Sequence, residues 1–169
     1  MLRRIAIGVL TAVTLVSLAP SAMARTTEAP RIQIEQQAHK WYPGPCNGWQ
    51  ANVRRGIGWN VIVHRVQWLI RCAEEKWPVP GGTAMAFCIA DRESGFNPWA
   101  YNPSGASGIF QQMAHYWSGR AAAWLRDKWF YKHQRPTSEL SPFMARANVL
   151  VSIRMMHTTG LRDWGGGCG

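Results

Sequence analysis

Four cysteines constrain this chain more than any other feature. Cys46, Cys72, Cys88 and Cys168 all lie downstream of a segment patterned for export, in which Arg3 and Arg4 precede an uncharged apolar stretch at 5–18 and the small-residue site Ala22-Met23-Ala24. Cleavage after Ala24 is expected, because the apolar stretch is shorter than the ~20 residues a membrane-spanning helix needs. The mature chain, 169 less 24 or about 145 residues, is then secreted, and no membrane association is expected after cleavage. An even cysteine count in an exported chain reads as two disulfides. Three pairings are possible; we expect Cys72–Cys88, pinning two consecutive helices, and Cys46–Cys168, tying the ends together. A zinc site would ask for CxxC or paired-histidine spacing, which neither the cysteines nor the five histidines show, so no metal and no cofactor is expected.

Nineteen basic residues less Arg3 and Arg4 leave 17 against 9 acidic ones, a net charge of +8 on the mature chain. Such a protein is drawn to polyanions, and bacterial cell wall and nucleic acid both qualify. The basic residues are scattered, with no Lys/Arg run and no nucleic-acid motif, and export separates the chain from nucleic acid. Cell wall is the better reading. A chain of this size suits one domain with its own core, expected as a monomer.

Apolar periodicity is helical, with no convincing strand run and no internal repeat, so the expected fold class is mainly α. After the leader at 1–24 we expect an irregular extension and loop at 25–57, with a short helix at 32–41, and a helical domain at 58–169. The first strong helix spans 59–77, where Trp59, Ile62, Val63, Val66, Leu69, Ile70, Ala73 and Trp77 recur at three- and four-residue steps. A second should start near Thr83 as N-cap and run toward Glu93, limited by Pro98. Helical spacing returns with Trp117, Ala121, Trp124, Leu125 and Trp129. Ser141 before Pro142 signals the start of the last helix, with Met144, Ala147, Leu150, Val151 and Met155 as its buried face. The glycine-rich tail at 160–169 needs the Cys168 bridge to be well ordered. Of the ten tryptophans, Trp59, Trp68, Trp117, Trp124 and Trp129 read as packing.

Glu93 stands where a helix should end, beside a loop and after the apolar residues Phe87, Ile89 and Ala90. Alone, such a glutamate reads as an exposed surface residue. In a poorly hydrated cleft it would be something else, because a carboxyl removed from water favours its uncharged form, the form a general acid needs.

The motif around it decides between these. Glu93-Ser94-Gly95-Phe96-Asn97-Pro98, then Tyr101-Asn102-Pro103-Ser104-Gly105-Ala106-Ser107-Gly108-Ile109-Phe110-Gln111, resembles the lytic transglycosylase signature, a Glu-Ser pair followed after a fixed interval by Gly-aliphatic-X-Gln. Asn148-Val149 resembles the family's third motif, and the resemblance covers roughly 83–156. It implies a lysozyme-like helical domain acting on peptidoglycan glycan strands. By position, Glu93 is implied as the single catalytic acid and later base, cleaving between N-acetylmuramic acid and N-acetylglucosamine to leave a 1,6-anhydro end. Ser94 would orient Glu93 or contact sugar, and Gln111 would hydrogen-bond substrate. Trp99, Tyr101 and Asn102, in the loop between the motif halves, are the further substrate-binding candidates, since sugar rings stack on aromatic faces. Alternatives are a muramidase that hydrolyses the same bond, and a non-catalytic cationic wall-binding protein.

Two departures accompany the resemblance. The tyrosine that commonly follows the asparagine by seven positions is here Met155, and Leu161-Arg162-Asp163-Trp164 stands where the family has Ala-Tyr-Asn. Asp91, Asp127, Glu139 and Asp163 are the candidates for a second carboxylate, and spacing promotes none of them. The resemblance implies instead that the substrate's own acetamido group assists.

Overall fold

The computed structural model describes residues 46–125 and 140–168. The expected leader, the short helix at 32–41, Trp129, Asp127 and Glu139 lie outside the described residues.

Among the described residues four helices carry the fold: α1 (Trp59–Lys76), α2 (Gly82–Ser94), α3 (Ala114–Trp124) and α4 (Ala145–Thr159), with 3-10 turns at Trp49–Ala51 and Arg162–Trp164. The fold is mainly α, as expected, and no described helix is long and apolar enough to cross a membrane. One small departure is a two-stranded antiparallel hairpin, β1 (Ala106–Ser107) and β2 (Gln112–Met113), pairing Ala106 with Met113 and Ser107 with Gln112. Strands of two residues are too short to leave a readable alternation in sequence.

The stripe on α1 buries Ile62, Val66, Leu69, Ile70 and Ala73, as its spacing dictates. Trp59, expected as packing, is instead 49% exposed at the first position of that helix, where no neighbouring turn covers it. Trp117 is buried, and its indole N–H donates to the Leu140 carbonyl.

α4 is the axis of the core, packing against both α1 and α3. The expectation of one buried face understates it, because residues 145–153, 155 and 156 are all buried. A helix apolar all round belongs inside. Burying side chains such as Leu150, Ile153 and Met156 contributes roughly 1.5–3 kcal/mol each. Among its polar residues, Arg146 is also buried, and desolvation pushes its guanidinium down to about 10, so it stays charged at neutral pH.

Two helix starts differ from the sequence reading. Thr83 does not cap α2, which begins at Gly82; its hydroxyl donates to Glu74 Oε2 at 2.9 Å, tying α2 to α1. Ser141 does not cap α4 either. Its hydroxyl accepts from the Phe143 amide at 3.2 Å, closing a local turn, and the helix starts at Ala145. A serine beside proline serves a turn as readily as a cap.

The disulfide pairing is corrected outright. Cys46 bonds Cys72, and Cys88 bonds Cys168, with Cα separations of 5.7 and 6.2 Å. The loop at Cys46 is bridged to α1 and the tail at Cys168 to α2, so each cysteine pairs with the segment that lies over its helix. Bridge formation needs Cα atoms within roughly 4.4–6.8 Å, a condition that sequence spacing does not reveal.

The loops closed differ in length, at sequence separations of 26 and 80. By loop-closure entropy, Cys88→Ser/Cys168→Ser should cost about 4–5 kcal/mol and Cys46→Ser/Cys72→Ser about 3–4 kcal/mol. Equilibrium denaturation of the two double variants against the parent checks the order.

Candidate active site

α2 ends where the motif begins. Gly95 adopts the left-handed conformation at φ 60°, and its amide donates to the Asp91 carbonyl at 2.6 Å, stopping the helix just past Glu93 and Ser94. Phe96 follows at φ 61°, a conformation a phenylalanine adopts only under constraint, and its ring meets Phe87 edge-on at 6.1 Å. Gln111, at the other end of the motif, has φ 46°. Strained non-glycine backbone persists where the surroundings over-determine it, which is common at functional sites.

Glu93 retains 25% of its side-chain exposure, so it is partly withdrawn from water yet reachable. Its Oε1 accepts from Arg92 Nη2 at 3.0 Å. The hydroxyl of Ser94 is shared between the Ala90 carbonyl at 3.1 Å and the Ile109 carbonyl at 2.8 Å. Through Ser94, therefore, the end of α2 is fastened to the turn at 108–111, and the two motif halves are brought together.

That turn is held from below by Asn148 of α4, which is fully buried. Its Oδ1 accepts from the Phe110 amide at 3.0 Å; its Nδ2 donates to the Pro142 carbonyl at 2.8 Å and the Ser107 carbonyl at 3.2 Å. Gly108, at φ 77°, lies directly over this amide. A Cβ there would overlap the Pro142 carbonyl oxygen and come within 2.5 Å of Asn148 Nδ2. Only glycine fits.

Gln111 spends its side-chain amide inside the loop, Nε2 donating to the Gly108 carbonyl at 2.9 Å and the Ala100 carbonyl at 3.4 Å. Among the described residues its Oε1 is then the atom left for an outside donor. Asn102 also supports the loop, its Oδ1 accepting from the Ser104 amide at 3.0 Å. Tyr101 is 55% exposed, open to a ligand, whereas Trp99 is half-buried under the Arg55 guanidinium, 5.1 Å from its ring centre. Asp91 is exposed, and Asp163 is paired with Arg120 at 2.8 Å.

Residues 69–134 match the family model described as Transglycosylase SLT domain. The resemblance read from the motif is thereby shown, and the match supports a transglycosylase-type domain directed at peptidoglycan. No curated protein and no solved structure matches the chain. The SLT segment takes in Glu93, Ser94, Trp99, Tyr101, Asn102 and Gln111 and stops short of α4. It starts earlier and ends earlier than the 83–156 expected from the motifs.

Sequence reasoning missed three residues outside or beside the recognised motif. Arg92 carries the ion pair to Glu93. Trp164, in the segment replacing Ala-Tyr-Asn, donates its indole N–H to the Phe110 carbonyl at 3.1 Å and packs edge-on against that ring. Gln112, buried behind the SLT turn, donates to the Ser152 hydroxyl at 2.7 Å and accepts from Arg120 at 2.6 Å. Spacing does point to Arg92, which lies one helical turn after Cys88; nothing local points to Trp164.

Asn148→Ala removes three hydrogen bonds, two of them fully buried, from beneath the SLT turn and should lower stability by about 3 kcal/mol. Gly108→Ala should cost about 2–4 kcal/mol, from overlap and backbone strain together. Thermal unfolding of both variants tests this, with no change in Tm as the contrary result.

Proposed function

We propose that the chain is a peptidoglycan lytic transglycosylase with Glu93 as its acid and base. The observation that carries the reading is Glu93 itself, one-quarter exposed at the end of α2 and tied through its neighbour Ser94 to the Gly108–Gln111 turn of the SLT segment. In this reading residues 58–169 form the catalytic domain, 25–57 its extension and 1–24 the export leader. The two disulfides accord with an oxidising setting outside the cytoplasm, and the proposed location is secreted or wall-associated.

Protonated Glu93 gives its proton to the glycosidic oxygen between N-acetylmuramic acid and N-acetylglucosamine, and the C1–O bond breaks. Positive charge developing at C1 is met by the muramic acid's own acetamido oxygen, which removes the need for a second carboxylate. The C6 hydroxyl of the same sugar then attacks C1, Glu93 takes its proton, and a 1,6-anhydro ring closes without water. Arg92 occupies Oε1, so in this reading Oε2 is the oxygen that passes the proton. In this reading Gln111 Oε1 receives a sugar hydroxyl and the exposed Tyr101 ring a sugar face, with Ser94, Asn102 and Trp99 shaping the loop that carries them.

Incubating the mature protein with purified wall and analysing the fragments by mass spectrometry should show anhydro-muramic ends. Reducing ends instead would make it a muramidase using the same acid. Glu93→Gln should lower the rate by at least about 100-fold, the scale of a lost general acid; undiminished clearing by that variant would leave a cationic wall-binding protein.

A further inference from the structure

Met85, Cys88 and Arg92 occupy positions i, i+3 and i+7 of α2 and so share one face of it. The C-terminal tail docks along that face at each of the three. The Cys168 amide donates to Met85 Sδ at 3.1 Å, Cys168 is bonded to Cys88, and Arg92 donates through Nη1 to the Gly167 carbonyl and through Nη2 to the Trp164 carbonyl, both at 2.7 Å. The same Nη2 holds Glu93 Oε1.

These contacts form a closed circuit. Glu93 is held by Arg92, Arg92 by the Trp164 carbonyl, and the Trp164 indole holds the Phe110 carbonyl. The adjacent Ile109 carbonyl is held by Ser94, which follows Glu93 in the chain. A guanidinium is suited to this post because its planar fork fixes several acceptors in one orientation, where an ammonium presents only a point charge. Arg92 is 44% exposed in its side chain, so its contact with Glu93 on its own is of the kind that contributes little to stability. Its worth lies in direction.

We infer that Arg92 is the positioning residue for Glu93, and that the tail at 160–168 is the element that keeps Arg92 in register. The inference rests on the reading of Glu93 as the acid. By fixing Oε1, Arg92 leaves Oε2 aimed at the glycosidic oxygen; by fixing Arg92, the tail makes the efficiency of bond cleavage depend on a segment outside the SLT match.

The test uses the full mature chain and soluble glycan oligomers cut from wall. Arg92→Ala should keep both disulfides and its helical circular dichroism, lower kcat by about 100-fold, and leave KM within about threefold. Arg92→Lys, which returns one donor, should recover part of the loss. Opening the tail bridge with Cys88→Ser/Cys168→Ser should lower kcat by about tenfold, while Cys46→Ser/Cys72→Ser lowers Tm and leaves kcat at the parental value. Parental kcat in Arg92→Ala overturns the inference, as does a loss confined to KM, which makes Arg92 a substrate contact. Equal kcat losses per folded molecule in the two bridge variants, with the folded fraction of each taken from its denaturation curve, also overturn it, and this contrast decides alone should Arg92→Ala not fold. Full activity in Glu93→Gln sinks the acid assignment instead, whatever Arg92 does.

Discussion

The buried amide of Asn148 organises the half of the molecule that carries the motif from Glu93 to Gln111. It sits fully enclosed among the apolar residues of α4, and each of its polar atoms is spoken for by backbone from the hairpin and turn above or the segment before α4. A buried amide without partners would be costly, so the two surfaces have one low-energy arrangement. Gly108 allows the approach, Asn148 fixes the distance, and the Ile109 and Phe110 carbonyls are then presented outward to Ser94 and Trp164.

From that anchor the geometry of the candidate site follows outward in layers. The core positions α4, α4 positions the turn, and the turn receives the end of α2 on one side and the tail on the other. Left-handed backbone at Gly95 and Phe96 ends α2 where Glu93 is still helical and Ser94 can cross to the turn. Of the candidates for a second carboxylate that lie among the described residues, Asp91 is turned to solvent and Asp163 is engaged with Arg120.

How much of this could be read beforehand depended on whether the causes were local. The α1 stripe was legible because Ile62, Val66, Leu69 and Ala73 follow one face of a helix, and the motif from Glu93 to Gln111 was legible because type and spacing agreed over many positions together. α4 was misjudged as one-faced, since a helix buried on all sides has no period to betray it. Capping was misassigned at Thr83 and Ser141 because their hydroxyls had other partners, Glu74 across the helix pair and the Phe143 amide. The disulfides and the Trp164 contact depend on which segment lies over which helix, and that is fixed by tertiary packing of residues far apart in sequence. Gln111 was placed in the right turn, yet its amide proved to serve the loop before any substrate.

The bridge from Cys88 to Cys168 also imposes a timetable. A chain that emerges N-terminus first presents Cys46 and Cys72 ahead of Cys88 and Cys168, and the first pair can join while the rest is still arriving. Cys88 emerges soon afterwards with its own partner far behind it and an unsuitable thiol, Cys72, close at hand. Early closure of the first pair removes that wrong choice. The thiol of Cys88 must then wait for Cys168, so a chain caught part-way carries Glu93 and Arg92 without the tail carbonyls of Trp164 and Gly167 that hold Arg92.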